Sequence, residues 1–324
     1  MNLYPLKFSP IVKDKIWGGT KLKTLLNKDL GQLPNGGESW ELSAVKGDVS
    51  VVSNGKLAGQ SLVDVINAYG ADLMGRHVYA QFGADFPLLI KFIDANDNLS
   101  VQVHPDDELA ARRHGSFGKT EMWYVMDADE GASLISGFSE KISATDYERR
   151  LASGHFVDAL AAHKVRQGDV FFMPAGRIHA IGKGVMVAEI QQTSDVTYRV
   201  YDYDRRDAAG RSRQLHVDEA LAAINFDDLD SGKIEYRAVE NQPVPVVSCK
   251  YFDTSVIVVC GSTTLDFSQT DSFEILMCVE GKATISAGDF STEMSLGETL
   301  LVPACTDSVK VDADSAKMLN VFIP

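Results

Sequence analysis

Residues 168–179 read Gly168-Asp-Val-Phe-Phe-Met-Pro174-Ala-Gly176-Arg-Ile-His179. A β-branched and aromatic run, closed by turn residues, predicts a strand, a tight turn and a restart at a histidine. Upstream stands Gln102-Val-His104-Pro-Asp-Asp, and residues i and i+2 of a strand share one face, so the Gln102 amide and the His104 imidazole project together. Glu121 opens the next clear strand, in Gly118-Lys-Thr-Glu-Met-Trp-Tyr. His104, His179, Glu121 and Gln102 then offer two imidazoles, a carboxylate and an amide oxygen, a set compatible with Zn²⁺. Coordination positions left to water or substrate would make such a site catalytic. Taken singly, each piece has a plainer reading. His104 before Pro-Asp-Asp opens a helix, Gln102 is an edge-strand polar residue, Glu121 faces solvent, and 168–176 is an ordinary hairpin turn.

The rest of the chain limits what such a site can serve. Its 324 residues, 45% hydrophobic and 23% charged, suit a globular protein of two domains or one large one. With a net charge of −14 it has no global attraction for nucleic acid or an anionic membrane, so an anion must be held by a few local cations. No apolar run approaches the ~18–20 residues that span a bilayer. The opening MNLYPLKFSP lacks an apolar h-region, so no signal peptide is expected. Cys249, Cys260, Cys278 and Cys305 alternate with Val, Ile and Met and form no C-x-x-C pair. Buried free thiols, no disulfide framework, no cysteine metal ligand and a cytoplasmic location are the expectations.

Strand signals dominate at 49–53, 87–94, 100–103, 121–126, 169–174 and 185–192. Helices are few and short: 22–26, 61–68 behind a Ser cap, 106–113 behind Pro105, 143–151 running on into 157–162, and 215–224. The acidic, turn-rich DDLDSGK and a Pro-Val-Pro mark a linker, after which the chain is nearly all strand and turn. The expected architecture is mainly β: a unit of residues 1–226 with short inserted helices, a linker at 227–245, and a second unit at 246–324, both barrel-like.

The spacing G-x5-P-x-G-x2-H over 168–179 resembles the second cupin motif at every defined position. Residues 102–121 resemble the first, with Gln102 in place of its first His and a longer gap before the Glu. With QVHPDD, GKTEMWY and EIQQTSDVTYRVYD, the chain from about Trp17-Gly-Gly to Asn225-Phe resembles the type I mannose-6-phosphate isomerases in their short bacterial form. The resemblance implies two cupin jelly-roll units and a zinc-dependent aldose–ketose isomerase interconverting mannose 6-phosphate and fructose 6-phosphate through a cis-enediol. It implies one zinc per chain on Gln102, His104, Glu121 and His179. It places further functional positions at Lys119, Glu189, Asp195 and Arg199. Arg199 cannot lose its proton and so suits a developing enediolate; its competing role is an ion pair with Asp195 or Asp202. Lys119 is a phosphate or proton-transfer candidate, against a solvated lysine at a strand end. Glu189 and Asp195 are both acid/base candidates, and the sequence does not choose between them. Trp17 and Trp40, each flanked by glycines, could face a sugar ring or simply pack.

Gly297-Glu-Thr-Leu-Leu-Val-Pro303 repeats the Gly-x5-Pro spacing, but Cys305 and Ser308 follow where Gly and His belong, and Cys278-Val-Glu280 lacks H-x-H. This half is expected to have kept the turn, lost the ligands and taken a packing role. Two rivals stand beside the isomerase. An Fe(II) oxygenase-type cupin would use the two His and one carboxylate, although Lys119 and Arg199, paired cations for an anion, argue against it. A non-catalytic cupin would bind a sugar phosphate without turnover. The expected partner is a small sugar phosphate, with neither nucleic acid nor membrane; no motif speaks to oligomeric state.

Overall fold

The strands Glu121–Ala128 and Val185–Gln192 are buried at nearly every position because both of their faces are covered. Trp123, Val125, Val185 and Val187 point into one core, shared with Leu134 and Ile181 of an opposing sheet. Met122, Tyr124, Met126, Met186, Ala188 and Ile190 point the other way into a second core. A computed structural model describes residues 3–207 and 209–324 of the chain.

The first unit is a sandwich of two antiparallel sheets. The larger runs, in spatial order, Lys233–Ile234, Val170–Met173, Glu121–Ala128, Val185–Gln192, Leu88–Ala95, Glu38–Leu42 and Ile11–Lys13. The smaller runs Leu160–Lys164, Ser133–Phe138, His179–Ile181, Val101–Val103 and Tyr198–Tyr201. The helices Ala144–Ser153 and Val217–Ala223 cover its outer face through Tyr147 and Ala220. Pro243–Ser248, Asp253–Asp266, Ser308–Phe322, Glu274–Ala287 and Phe290–Ser295 form the second unit, with Thr299–Val302 also paired to 274–287. Its strands are long and bulged and wrap a core of their own around Ile257, Leu276, Val311 and Met318. The architecture is mainly β and of cupin jelly-roll type, as expected, with sheets that do not close into full barrels.

The elements differ in detail at three places. The helical run at 157–162 is a 3-10 turn, Val157–Ala159, followed by the strand Leu160–Lys164. Pairing to Ser133–Phe138 overrides the helix propensity of its alanines. The helices Ala71–Met74 and Arg76–Phe82 escape sequence reading because Gly70 and Gly75 break the pattern into pieces shorter than two turns. The stretch 227–245 carries ladder pairs near both ends: Lys233–Ile234 edges the larger sheet, and Pro243 begins an edge strand, where a missing N–H is tolerated. The caps at Ser61 and Ser143 hold their helices as the sequence indicates.

The two units share an apolar core, with the Phe86 and Phe273 rings 4.7 Å apart. Leu6 and Leu301 exchange backbone hydrogen bonds of 2.8 and 2.9 Å. The turn after Pro303 docks on the 71–74 helix, with Ala304 N donating to Leu73 O at 3.0 Å and Cys305 N to Asp72 O at 2.9 Å. All four cysteines are free thiols, yet only Cys278 is buried; Cys249 and Cys260 are half-buried and Cys305 is exposed, which corrects the expectation for three of them. The alternation cannot tell a strand's core face from its rim.

Burial pushes the Glu274 carboxyl up to about 8, against the bonds from Asn320 and Thr270 that favour its ionised form. A group raised in the fold stabilises it fully below the unfolded value and loses that contribution as pH climbs through the folded one. Glu274→Gln should therefore raise the melting temperature at pH 9 by a few degrees and change it little at pH 5. Equal shifts at both pH values in a thermal melt would refute the assignment.

Candidate active site

Sheet pairing assembles the site from distant pieces. Gln102 lies across from His179 on one side and from Arg199 on the other. Glu121 pairs across from Met173 and Gln191 at the head of its strand. Gly176 carries a φ of 89°, which a side chain would strain, and its N–H donates to the His104 carbonyl at 2.9 Å, drawing the two histidine segments together.

His104 Nε2 stands 3.5 Å from Glu121 Oε2, and His179 Nε2 stands 3.3 Å from Glu121 Oε1. The three residues can each offer one donor atom, all within 4.8 Å of one another. His104 Nδ1 donates to the Val196 carbonyl at 3.0 Å and His179 Nδ1 to the Arg177 carbonyl at 2.9 Å. A carbonyl only accepts, so each ring must present a bare Nε2 lone pair. Burial, Lys119 and the neighbouring imidazole hold His104 well below its ordinary range, and burial brings His179 down to about 4, so both rings are neutral. Burial and nearby Glu189 push the Glu121 carboxyl up to about 8, against Lys119 and Lys91. Both Nε2 atoms and both Glu121 oxygens are buried without a hydrogen-bond partner. Orphaned polar atoms in a core are costly. These four converge, and their chemistry, two neutral imidazoles and a carboxylate, fits a divalent cation.

Beside them opens a cavity of about 440 Å³ lined by Gln102, Lys119, Glu189, Asp195, Arg199, Trp17 and Trp40. All the non-triad residues singled out in the sequence therefore meet there. Lys119 is 5% exposed, with Nζ 3.4 Å from Glu121 Oε2, so it is not a solvated strand end. Arg199 donates to the Gln214 carbonyl at 2.8 Å and to Ser100 Oγ at 3.3 Å. The ion pair considered for it with Asp202 belongs instead to Arg213, whose Nε donates to Asp202 Oδ2 at 2.8 Å. Glu189 is buried and accepts from Trp123 Nε1 at 2.9 Å, whereas Asp195 is exposed at the rim.

Sequence reading missed Lys91, Glu38, Lys15, Lys13 and Arg213, which also line the cavity. Lys91 Nζ is 3.3 Å from Glu189 and 3.9 Å from Glu38, and lies 5.1 Å over the Trp40 ring. Burial opposes the charge of Glu38, but Lys91 and Lys15 outweigh it and hold the carboxyl down at about 2. The available signal was a lysine inside Leu-Leu-Ile-Lys-Phe-Ile, since a charge in a strand buried on both faces requires a partner. Six cations face four carboxylates around the cavity, so the local field favours an anion although the chain carries −14. A larger cavity of about 1130 Å³ at the junction of the units, near Tyr4, Phe290 and Cys305, receives none of the orphaned atoms.

Residues 5–134 match the family described as phosphomannose isomerase type I, catalytic domain, and residues 244–323 match the mannose-6-phosphate isomerase cupin domain. The chain is 35% identical over 310 residues to mannose-6-phosphate isomerase ManA of Bacillus subtilis, covering 94% of each chain. It is 36% identical over 311 residues to mannose-6-phosphate isomerase of Streptococcus mutans, covering 96% of each. The crystal structure of the mannose 6-phosphate isomerase from Bacillus subtilis superposes with a TM-score of 0.86 at 30% identity, over 98% of this chain and 99% of that one.

Proposed function

We propose that this chain, which belongs to the type I mannose-6-phosphate isomerase family, interconverts mannose 6-phosphate and fructose 6-phosphate by moving a proton between C1 and C2 through a cis-enediol. The observation that carries this reading is the convergence of four orphaned polar atoms beside a cation-rich cavity whose wall includes Gln102 and Lys119.

His104, Glu121 and His179, with the Gln102 amide oxygen as a fourth donor, would hold one Zn²⁺ per chain. When bound, the ion supplies Lewis-acid polarisation of the sugar oxygens. The remaining chemistry belongs to side chains of the cavity. Arg199, always protonated, stabilises the negative charge that grows on O1 and O2. Glu189 is our candidate to carry the proton: Oε2 accepts from Trp123, and Oε1 faces the Lys91 ammonium 3.3 Å away. Lys91 braces it from the neighbouring strand and is itself backed by Glu38 one strand further on. Asp195, at the rim, suits contact with sugar hydroxyls. Lys119 supplies positive charge for the phosphate or a proton relay, and Trp17 and Trp40 give apolar faces to the sugar ring.

A coupled assay that converts fructose 6-phosphate to a coloured product tests the reading; zinc-loaded protein that leaves mannose 6-phosphate unchanged would overturn it. Metal analysis should find one equivalent of zinc per chain, because the C-terminal turn lacks the histidines of the first unit. A second equivalent bound beyond Val246 would contradict the packing role of that unit.

A further inference from the structure

We infer that Tyr251 of the C-terminal unit and Asp107 are positioning residues for the segment carrying Lys119 and Glu121, an inference that rests on the isomerase reading above. Three consecutive backbone N–H groups of that segment are tied down. Gly118 N donates to Asp107 Oδ1 at 3.0 Å, Lys119 N to the Pro105 carbonyl at 3.1 Å, and Thr120 N to Gln192 Oε1 at 2.9 Å. The Gln192 amide is oriented in turn by donating Nε2–H to Asp107 Oδ1 at 2.9 Å. The other oxygen, Asp107 Oδ2, accepts from the Tyr251 hydroxyl at 2.6 Å and lies 3.4 Å from Lys250 Nζ. One carboxylate therefore links a residue 144 positions away to two of the three amides that fix the segment.

The segment is also pressed against its support. A Cβ on Gly118 would lie 2.6 Å from Asp107 N and 2.7 Å from Asp106 C, so nothing bulkier than glycine lets the chain pass the start of the Asp107–His114 helix at this distance. On the far side, Thr120 Oγ1 accepts from Ala175 N at 3.2 Å, in the turn that leads to His179. A shift at Asp107 thus reaches Lys119, Glu121 and the His179 turn through backbone and side-chain hydrogen bonds rather than through loose packing. The junction of the units already has its shared apolar core and the Leu6–Leu301 bonds, so one half-buried hydroxyl–carboxylate bond adds little to its stability. Its larger consequence is the placement of a metal-side carboxylate and a cavity lysine, where small displacements weigh heavily on rate. The metal-free unit is then a brace for the site, acting through Tyr251.

The test compares zinc-loaded, full-length Tyr251→Phe and Asp107→Asn with wild type in kcat, KM, rate of zinc loss to a chelator, and melting temperature. Outer hydrogen-bond partners of a metal site usually govern ~10–100-fold in affinity or activity, and a partner one bond further out belongs at the lower end. Tyr251→Phe should lower kcat ~3–10-fold and speed zinc loss comparably, with KM and melting temperature nearly unchanged. Asp107→Asn should lower kcat ~10-fold or more, and the double variant should lose no more than Asp107→Asn alone, because Tyr251 acts only through Asp107. Wild-type kcat and zinc retention in both variants, or a fall in melting temperature alone, would overturn the inference. So would an equal loss in Lys250→Ala, which would transfer the effect from the hydroxyl to charge. Wild-type turnover in the same assay keeps the questions apart: an inactive wild type defeats the isomerase reading, and an active one with unaffected variants defeats only this inference.

Discussion

Stripping zinc from the protein is expected to abolish isomerase turnover, and returning one equivalent is expected to restore it. His179→Ala should do the same irreversibly, with a loss of ~10³-fold or more, since the charge stabilisation a bound ion supplies has no replacement in the cavity. The reason lies in what the site contains without a cation. Two imidazoles are committed through Nδ1 to backbone carbonyls, so both Nε2 lone pairs face the Glu121 carboxyl, which burial and Glu189 push up to about 8. In a core where His104, Glu121 and His179 are 2, 0 and 1% exposed, neither Nε2 atom and neither carboxyl oxygen has a hydrogen-bond partner, and one divalent cation would satisfy all three residues as it displaces the carboxyl proton. Removing the His179 imidazole leaves a carboxylate, a single ring and the neutral Gln102 amide oxygen, too weak a set for tight retention of Zn²⁺. Metal content and kcat should therefore fall together in His179→Ala, and readdition of zinc should rescue the stripped wild type but not the variant. Full turnover after exhaustive chelation, with metal analysis confirming its absence, would refute the assignment.

The triad was legible in the sequence because its residue types are rare together and because turn residues flank them. Gly168, Pro174 and Gly176 punctuate a strand–turn–strand whose second strand begins at His179, and Gln102 and His104 share a face by strand periodicity alone. Lys91 and Glu38 were not legible, because their role depends on sheet order. Lys91 pairs across from Glu189 on one side and from Trp40 on the other, and no spacing along the chain brings residues 38–40, 91 and 189 onto adjacent strands. The same applies to Tyr251 and Asp107, which meet only once the units dock. Secondary structure failed where local preference and tertiary pairing disagreed. Leu160–Lys164 is alanine-rich yet serves as an edge strand, and Lys233–Ile234 is too short to show any period. Closure of the sheets was not legible for a related reason: alternation reports that one face of a strand is covered, not whether the sheet's edges meet.

Arg199→Ala should lower kcat ~10²-fold or more, the scale of a lost oxyanion-hole donor, while leaving zinc content and fold intact. Arg199 is partly buried, its charge is disfavoured by burial and by Arg213, and it forms no ion pair among the described residues; its partners are a carbonyl and a hydroxyl. A guanidinium held against the cavity wall by neutral acceptors keeps its full charge for whatever enters, unlike Lys15 or Arg213, whose charges are already matched by Glu38 and Asp202. Its strand position, directly across from Gln102, puts that charge at the metal end of the cavity, where O1 and O2 of the sugar would lie. An interaction made only as charge develops lowers kcat when removed and spares KM, whereas losing a phosphate anchor raises KM and erodes kcat only so far as that binding energy serves positioning. Lys119→Ala is the comparison: if Lys119 holds phosphate, KM for mannose 6-phosphate should rise, and the preference over unphosphorylated mannose should shrink. Arg199→Ala should keep that preference while losing turnover on both sugars. Near wild-type kcat in a folded, zinc-loaded Arg199→Ala protein would show that the guanidinium serves only to tie Ser100 and Gln214 across the sheet edge.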